Sequence, residues 1–165
     1  MPAKQPRPKI SVRDLEKRIH TLINRERTAH GLSPLAWDKS LARIARSHSK
    51  DMGDRAYFSH NSPEGRDFSF RYHQQGYTCA VRTGDAIYAG AENIAFIPLY
   101  RSITTINGVA YYDWNTADQI AVAAVQGWMD SPGHRKNILT PYWLNQGIGV
   151  YIGADDKIYI TQNFC

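Results

Sequence analysis

The segment QGIGVYIGADDKIYITQNF, residues 146–164, constrains the fold of this chain more than any other stretch. It alternates with a period of two. Ile148, Val150 and Ile152 fall on one face and Gly147, Gly149 and Gly153 on the other, which is the pattern of a half-buried strand. Ala154-Asp155-Asp156-Lys157 supplies a turn, so a terminal hairpin is expected. Glycines weaken a strand unless another element approaches its backbone closely. A helix is therefore expected to lie directly on the glycine face, with an apolar core on the other.

Helical segments precede that hairpin. Ser11-Val-Arg-Asp14 has the shape of a capping box, and Leu15, Ile19, Leu22 and Ile23 follow on one face until Gly31. Asp38 can cap a second helix in which Leu41, Ile44, Ala45, His48 and Met52 share a face, ending near Gly53. His48 on that apolar face reads as a satisfied core histidine rather than a ligand. A short third helix is predicted from Asp67 to Gln75, with Gly76 as its stop. Thr116-Ala-Asp-Gln119 opens a fourth, whose Ile120, Val122, Ala123, Ala124, Val125, Trp128 and Met129 leave almost no polar face, so it must be buried. Ser131-Pro132 then fits an N-cap followed by proline at the first position of a fifth. Helices before and between short strands, closed by an antiparallel hairpin, give an α+β class rather than a doubly wound parallel sheet.

At 165 residues with 42% hydrophobic and 21% charged side chains, the chain reads as one globular domain over residues 12–165, with no transmembrane segment and a monomer expected. Residues 1–11 open with three prolines and three basic groups in MPAKQPRPK and read as a disordered basic tail or linker. A net charge of +5 favours acidic partners, yet no stretch interleaves basic with aromatic residues, so nucleic acid is not expected. Cys79 and Cys165 lack the spacing of redox or zinc motifs. They are either one disulfide, worth on the order of 4 kcal/mol through loop closure, or two buried thiols.

Three residues stand out chemically. Glu92 sits in AGAENIAFI, where its apolar neighbours imply burial, and a buried carboxylate needs a partner. His60 precedes a Ser-Pro-Glu-Gly turn, and His134 follows Ser-Pro-Gly at a helix start. Two histidines and a glutamate match a common zinc shell with an open position, although their spacing specifies nothing alone. Further along, Ile106-Asn-Gly-Val109 is a two-residue hairpin signal between YRSITTI and VAYYDW. Tyr111, Tyr112 and Trp114 on that ribbon either stiffen it and cover the core or form a ligand-facing flap.

FSHNSPEG, GAENIA, VQGWMDSPGHRKNIL, QGIGVYIG and ITQNF, in this order, resemble the prokaryotic branch of the CAP superfamily of cysteine-rich secretory proteins, antigen 5 and plant pathogenesis-related proteins. The resemblance covers residues 12–165. It implies a three-layer α-β-α sandwich with a central antiparallel sheet, in a protein secreted or displayed at the cell surface. It also implies a cleft where His60, Glu92 and His134 converge, with a divalent cation such as zinc in some members. The family's fourth acidic residue falls on Ser131, and Asp130, one position earlier, is the candidate to take its place at the metal through water, although it points about 100° away on a helix. Export makes the Cys79–Cys165 disulfide the favoured alternative.

The expected function is thus an extracellular module binding a small lipid-like, sterol-like or glycan ligand, with cation assistance. The alternative is a metal-dependent hydrolase with Glu92 as ligand or general base. A Ser131–His134 dyad is not expected, because an N-cap hydroxyl is normally engaged by backbone. Asn137 reads as a backbone hydrogen bonder rather than a substrate contact.

Overall fold

The computed structural model describes residues 5–165, so the first four residues of the expected tail lie outside the described residues. Its elements are α1 (Val12–Ala29), β1 (Ala36–Trp37), α2 (Lys39–Asp54), α3 (Phe68–Gln74), β2 (Val81–Thr83), β3 (Ala86–Tyr88), β4 (Ala91–Pro98), β5 (Tyr100–Ile106), β6 (Val109–Trp114), α4 (Ala117–Met129), α5 (Pro132–Ile138), β7 (Asn145–Ile152) and β8 (Lys157–Phe164). The central sheet has the order β1-β7-β8-β4. Its three long strands are antiparallel, and the two-residue β1 joins the edge of β7 in parallel. The layers form an α-β-α sandwich.

The terminal hairpin explains the layering. Ile148, Val150, Ile158 and Ile160 pack with Leu15, Ile19 and Ile23 of α1 and Ile120, Ala124 and Trp128 of α4 in the main core. On the opposite face α2 lies against the strand backbone, as the glycine row demands. A Cβ on Gly147 would sit 2.1 Å from the Ala42 nitrogen, and one on Gly149 would sit 2.0 Å from the Arg46 nitrogen. Gly153 does not extend this row; its neighbours are Asp155 and Lys157 within the turn. Further along α2 the fit is reciprocal, because Gly53 leaves room for the ring of Tyr151. The α2 helix therefore passes through Gly53 and ends at Asp54.

Local sequence sets most element ends. Ser11 accepts from the Asp14 N–H, Asp38 from the N–H groups of Ser40 and Leu41, and Asp67 from that of Phe70. Thr116 and Gln119 complete a reciprocal capping box. Asn107 and Gly108 both take positive φ, 51° and 76°, as a tight hairpin between β5 and β6 requires. The small β2–β3 hairpin, which turns at Gly84-Asp85 with Gly84 at φ 58°, was not anticipated. Cys79 and Cys165 are disulfide-bonded, which fixes the last residue beside Leu41, Ile44 and Tyr72. Residues 5–11 form no helix or strand. They nevertheless follow the surface: Arg7 pairs with Asp156 at 2.5 Å, and the Gln5 carbonyl accepts from the Trp114 indole.

Candidate functional site

Glu92 lies near the start of β4, in register with Asn163 of β8. Its side chain is 1% exposed. The compensating charge that burial demands comes from Arg71 of α3, whose Nη2 donates to both carboxylate oxygens at 2.9 and 2.7 Å. The same nitrogen donates to the His60 carbonyl at 3.0 Å and so anchors the loop carrying that residue. His60 closes the arrangement with Nδ1 3.0 Å from a Glu92 oxygen, while half of its side chain stays exposed. Arg71 was missed in the sequence because nothing local links α3 to β4.

Behind this group stands His48. It is buried, as its apolar helix face predicts, and Nε2 donates to the Ser59 carbonyl at 3.0 Å. Satisfied though it is, Nε2 also lies 3.8 Å from Glu92. Burial lowers its pKa, the Glu92 charge opposes that shift, and the Arg71 charge reinforces it.

His134 reaches the cleft from α5. Trp128 fixes the end of α4 through its indole N–H, which donates to the Ile94 carbonyl of β4 at 2.9 Å. Asn93 then ties α5 to the sheet, donating to the His134 carbonyl at 3.2 Å. Asn137 donates to the Asn93 side chain at 2.9 Å and to the Glu92 carbonyl at 3.4 Å. The imidazoles of His60 and His134 come within 6.4 Å of each other, centroid to centroid. Burial lowers the His134 pKa, and the neighbouring His60 lowers it further.

Ser131 corrects a sequence expectation. Its hydroxyl makes no capping bond to α5 and instead lies 3.0 Å from His134 Nδ1. Each cleft histidine thus has Nδ1 engaged, one by Glu92 and one by Ser131, while neither Nε2 has a protein hydrogen-bond partner among the described residues. Both Glu92 oxygens accept from Arg71, and among the described residues no cluster of three or more His, Cys, Asp or Glu side chains could hold a metal ion.

The remaining candidates lie elsewhere. Asp130 is the C-cap of α4, exposed, and its carboxylate accepts from Gln126 at 2.8 Å. The ribbon carrying Tyr111, Tyr112 and Trp114 begins beyond the far end of β4, about 23 Å from Glu92 along an extended strand. Tyr112 and Trp114 stack at 4.6 Å with Tyr100 edge-on, while Tyr111 falls on the other face.

The five sequence motifs therefore belong to one fold, and the three that carry His60, Glu92 and His134 meet in one cleft. The family model for the cysteine-rich secretory protein (CAP) family matches residues 20–164. The chain belongs to this family. The CAP domain is 35% identical over 149 residues to an uncharacterized membrane protein of Bacillus subtilis, YlbC, a match covering 90% of this chain and 34% of that protein. It therefore spans only about a third of that relative. Among solved structures it resembles an extracellular protein containing a SCP domain from Bacillus anthracis, with a TM-score of 0.66, 35% identity and coverage of 92% of this chain and 40% of that one. The fold also resembles that of NaASP2, crystallised with Zn2+, at a TM-score of 0.52, 12% identity and coverage of 96% and 82%. No helix among the described residues is long and apolar enough to cross a membrane.

Proposed function

We propose that this CAP domain is an exported binding module whose centre is the pair His60 and His134, oriented by Glu92 and Ser131. The observation that carries this reading is the 6.4 Å approach of two imidazoles that each keep Nε2 free of protein partners. A histidine whose Nδ1 is held by a carboxylate is the usual arrangement behind a metal-ligating Nε2. His60 and His134 would hold a divalent cation such as zinc, and Glu92 would orient His60 instead of ligating. The cation would supply a Lewis-acidic position for an oxygen donor on a small lipid-like or glycan ligand. Zinc named with NaASP2 and the extracellular origin of the Bacillus anthracis relative support the reading, as does the disulfide, which persists in oxidising compartments.

Calorimetric titration with zinc tests it. The parent should bind at pH 7.5 and lose affinity below about pH 6.5, where protons compete for imidazole. His60→Ala and His134→Ala should each abolish binding. Equal affinity in all three proteins would remove the shared site.

A second reading draws on the Ser131 hydroxyl, free of its cap and 3.0 Å from His134 Nδ1, the disposition of a serine nucleophile and its base. Turnover of an activated ester that Ser131→Ala abolishes would favour this hydrolase. Glu92 is a poor general base in either case, since both of its oxygens already accept from Arg71.

A further inference from the structure

At the sheet edge opposite the histidine cleft, α1 and α2 flank β1 and enclose a groove of about 600 Å³. Its cations are spread from Arg13 to Arg46 in the sequence and become neighbours only in the fold. Arg13 and Lys17 stand one turn apart on α1, and Lys39 and Arg43 one turn apart on α2, giving two rows with a repeat of about 6 Å. All four are exposed, and none has an acidic partner among the described residues. Elsewhere several surface cations are neutralised, as in Arg7–Asp156, Arg55–Asp51 and Arg101–Asp113.

Among the described residues, the one carboxylate lining the groove is already committed. Glu16 is 1% exposed, takes two bonds from Arg46 at 2.8 and 2.7 Å, and accepts the Val150 N–H at 3.2 Å. It seals the edge of β7 and leaves the free cations unopposed. Trp37 and His20 form an aromatic wall, edge to face at 5.3 Å. The wall is fixed from below, because the buried Gln146 amide contacts His20 Nδ1 at 2.8 Å.

We propose that this groove binds an anionic saccharide chain, at a site separate from the histidine cleft. Two rows of unpaired cations suit acid groups repeated along a polymer better than a single ion. An indole beside them offers a flat apolar surface with a polar edge, which a sugar ring can cover while its acid groups meet the arginines. Single-stranded nucleic acid is the competing polyanion, but its binding grooves rely on successive aromatic platforms, whereas this one has a single indole. The disulfide adds to the preference, since it belongs to oxidising compartments where acidic glycans are the commoner polyanions.

The test is titration of the protein with hexagalacturonate at near-physiological salt, read by tryptophan fluorescence and by calorimetry. Maltohexaose serves as the uncharged counterpart and hexathymidylate as the rival polyanion. Hexagalacturonate should bind saturably, maltohexaose should not, and the double variant Arg13→Ala/Arg43→Ala should weaken binding about tenfold or more, as loss of charge-assisted contacts requires. Arg101→Ala, a paired cation on the β5–β6 ribbon, should leave affinity unchanged. Trp37→Ala should weaken binding further, but Trp37 also packs on the core. The exposed arginines, whose removal leaves the fold intact, therefore decide the matter. No binding of hexagalacturonate, equal binding by the double variant, or tighter binding of hexathymidylate would each overturn the proposal.

Discussion

The histidine cleft and the β5–β6 ribbon are both built from polar and aromatic side chains, yet they are attached to the molecule in opposite ways. In the cleft, Glu92 is 1% exposed and is reached by α2, α3, the loop before α3 and, through Asn137, α5. In the ribbon, Tyr100, Tyr112 and Trp114 pack on one another and of the three Trp114 also touches the main core, while Ile103, Ile106 and Val109 stay exposed. A buried charge recruits partners from distant parts of the chain because an uncompensated one is costly. An aromatic cluster on a two-stranded ribbon can satisfy itself locally. The cleft is therefore part of the fold's stability, and the ribbon is an attachment to it.

The strongest way to break this comparison is to remove one side of the buried pair. Arg71→Met should lower unfolding stability by about 3–5 kcal/mol, measured by urea denaturation, because Glu92 would be left buried without its partner. Combining Arg71→Met with Glu92→Leu should recover part of the loss, since the uncompensated charge goes too. A cost below about 1 kcal/mol for the single variant would show the cleft to be as dispensable as the ribbon.

Deleting residues 100–114 is the matching experiment. The Asn115 N–H already donates to the Leu99 carbonyl at 2.9 Å, so a short glycine linker can close the gap. The shortened domain should unfold cooperatively with a change of about 1 kcal/mol. The cut must spare Leu99, which is 1% exposed in the main core and whose loss would cost about 2–5 kcal/mol.

The sequence was informative wherever the physical cause was local. The caps at Ser11, Asp38, Asp67 and Thr116 need only residues two or three positions away, and the glycine row foretold a helix that α2 supplies. Glu92 stood out for the same reason, as an acid among apolar neighbours. Its partner did not, because Arg71 meets it only once α3 has docked. At Ser131 the N-cap position and the following proline hold as expected, but the side-chain capping bond does not, since a neighbouring imidazole takes the hydroxyl. Likewise, the basic groove was invisible because its two rows belong to different helices.

Titration of the buried His48 and the partly buried His20 and His134 sharpens the contrast, since the ribbon has no histidine to contribute. Burial lowers the pKa values of His48, His20 and His134 from the ordinary 6.5. The unfolded chain therefore binds protons first as pH falls, and stability should decline from about pH 6.5 downward toward the lowered native values. Thermal unfolding between pH 7.5 and 5 should show this decline, and His48→Gln should flatten it. The ribbon deletion should follow the parent's pH dependence.

The smallest stability change separates structure from binding within the cleft itself. Ser131 makes no capping bond, so Ser131→Ala should cost under about 1 kcal/mol, the net value of a partly buried hydrogen bond to His134. Its effect on metal should be larger. For Nε2 of His134 to ligate, Nδ1 must carry the proton and donate it to the Ser131 hydroxyl, and losing such an orienting partner typically weakens metal affinity about 10–100-fold. Nitrogen-15 chemical shifts of the imidazole would read the tautomer directly, alongside calorimetry with zinc. Ser131→Glu should shift both measurements the other way, because a carboxylate holds the Nδ1 proton more strongly than a hydroxyl does. If alanine and glutamate leave tautomer and affinity unchanged, Ser131 does not position His134, and backbone alone must orient that ring.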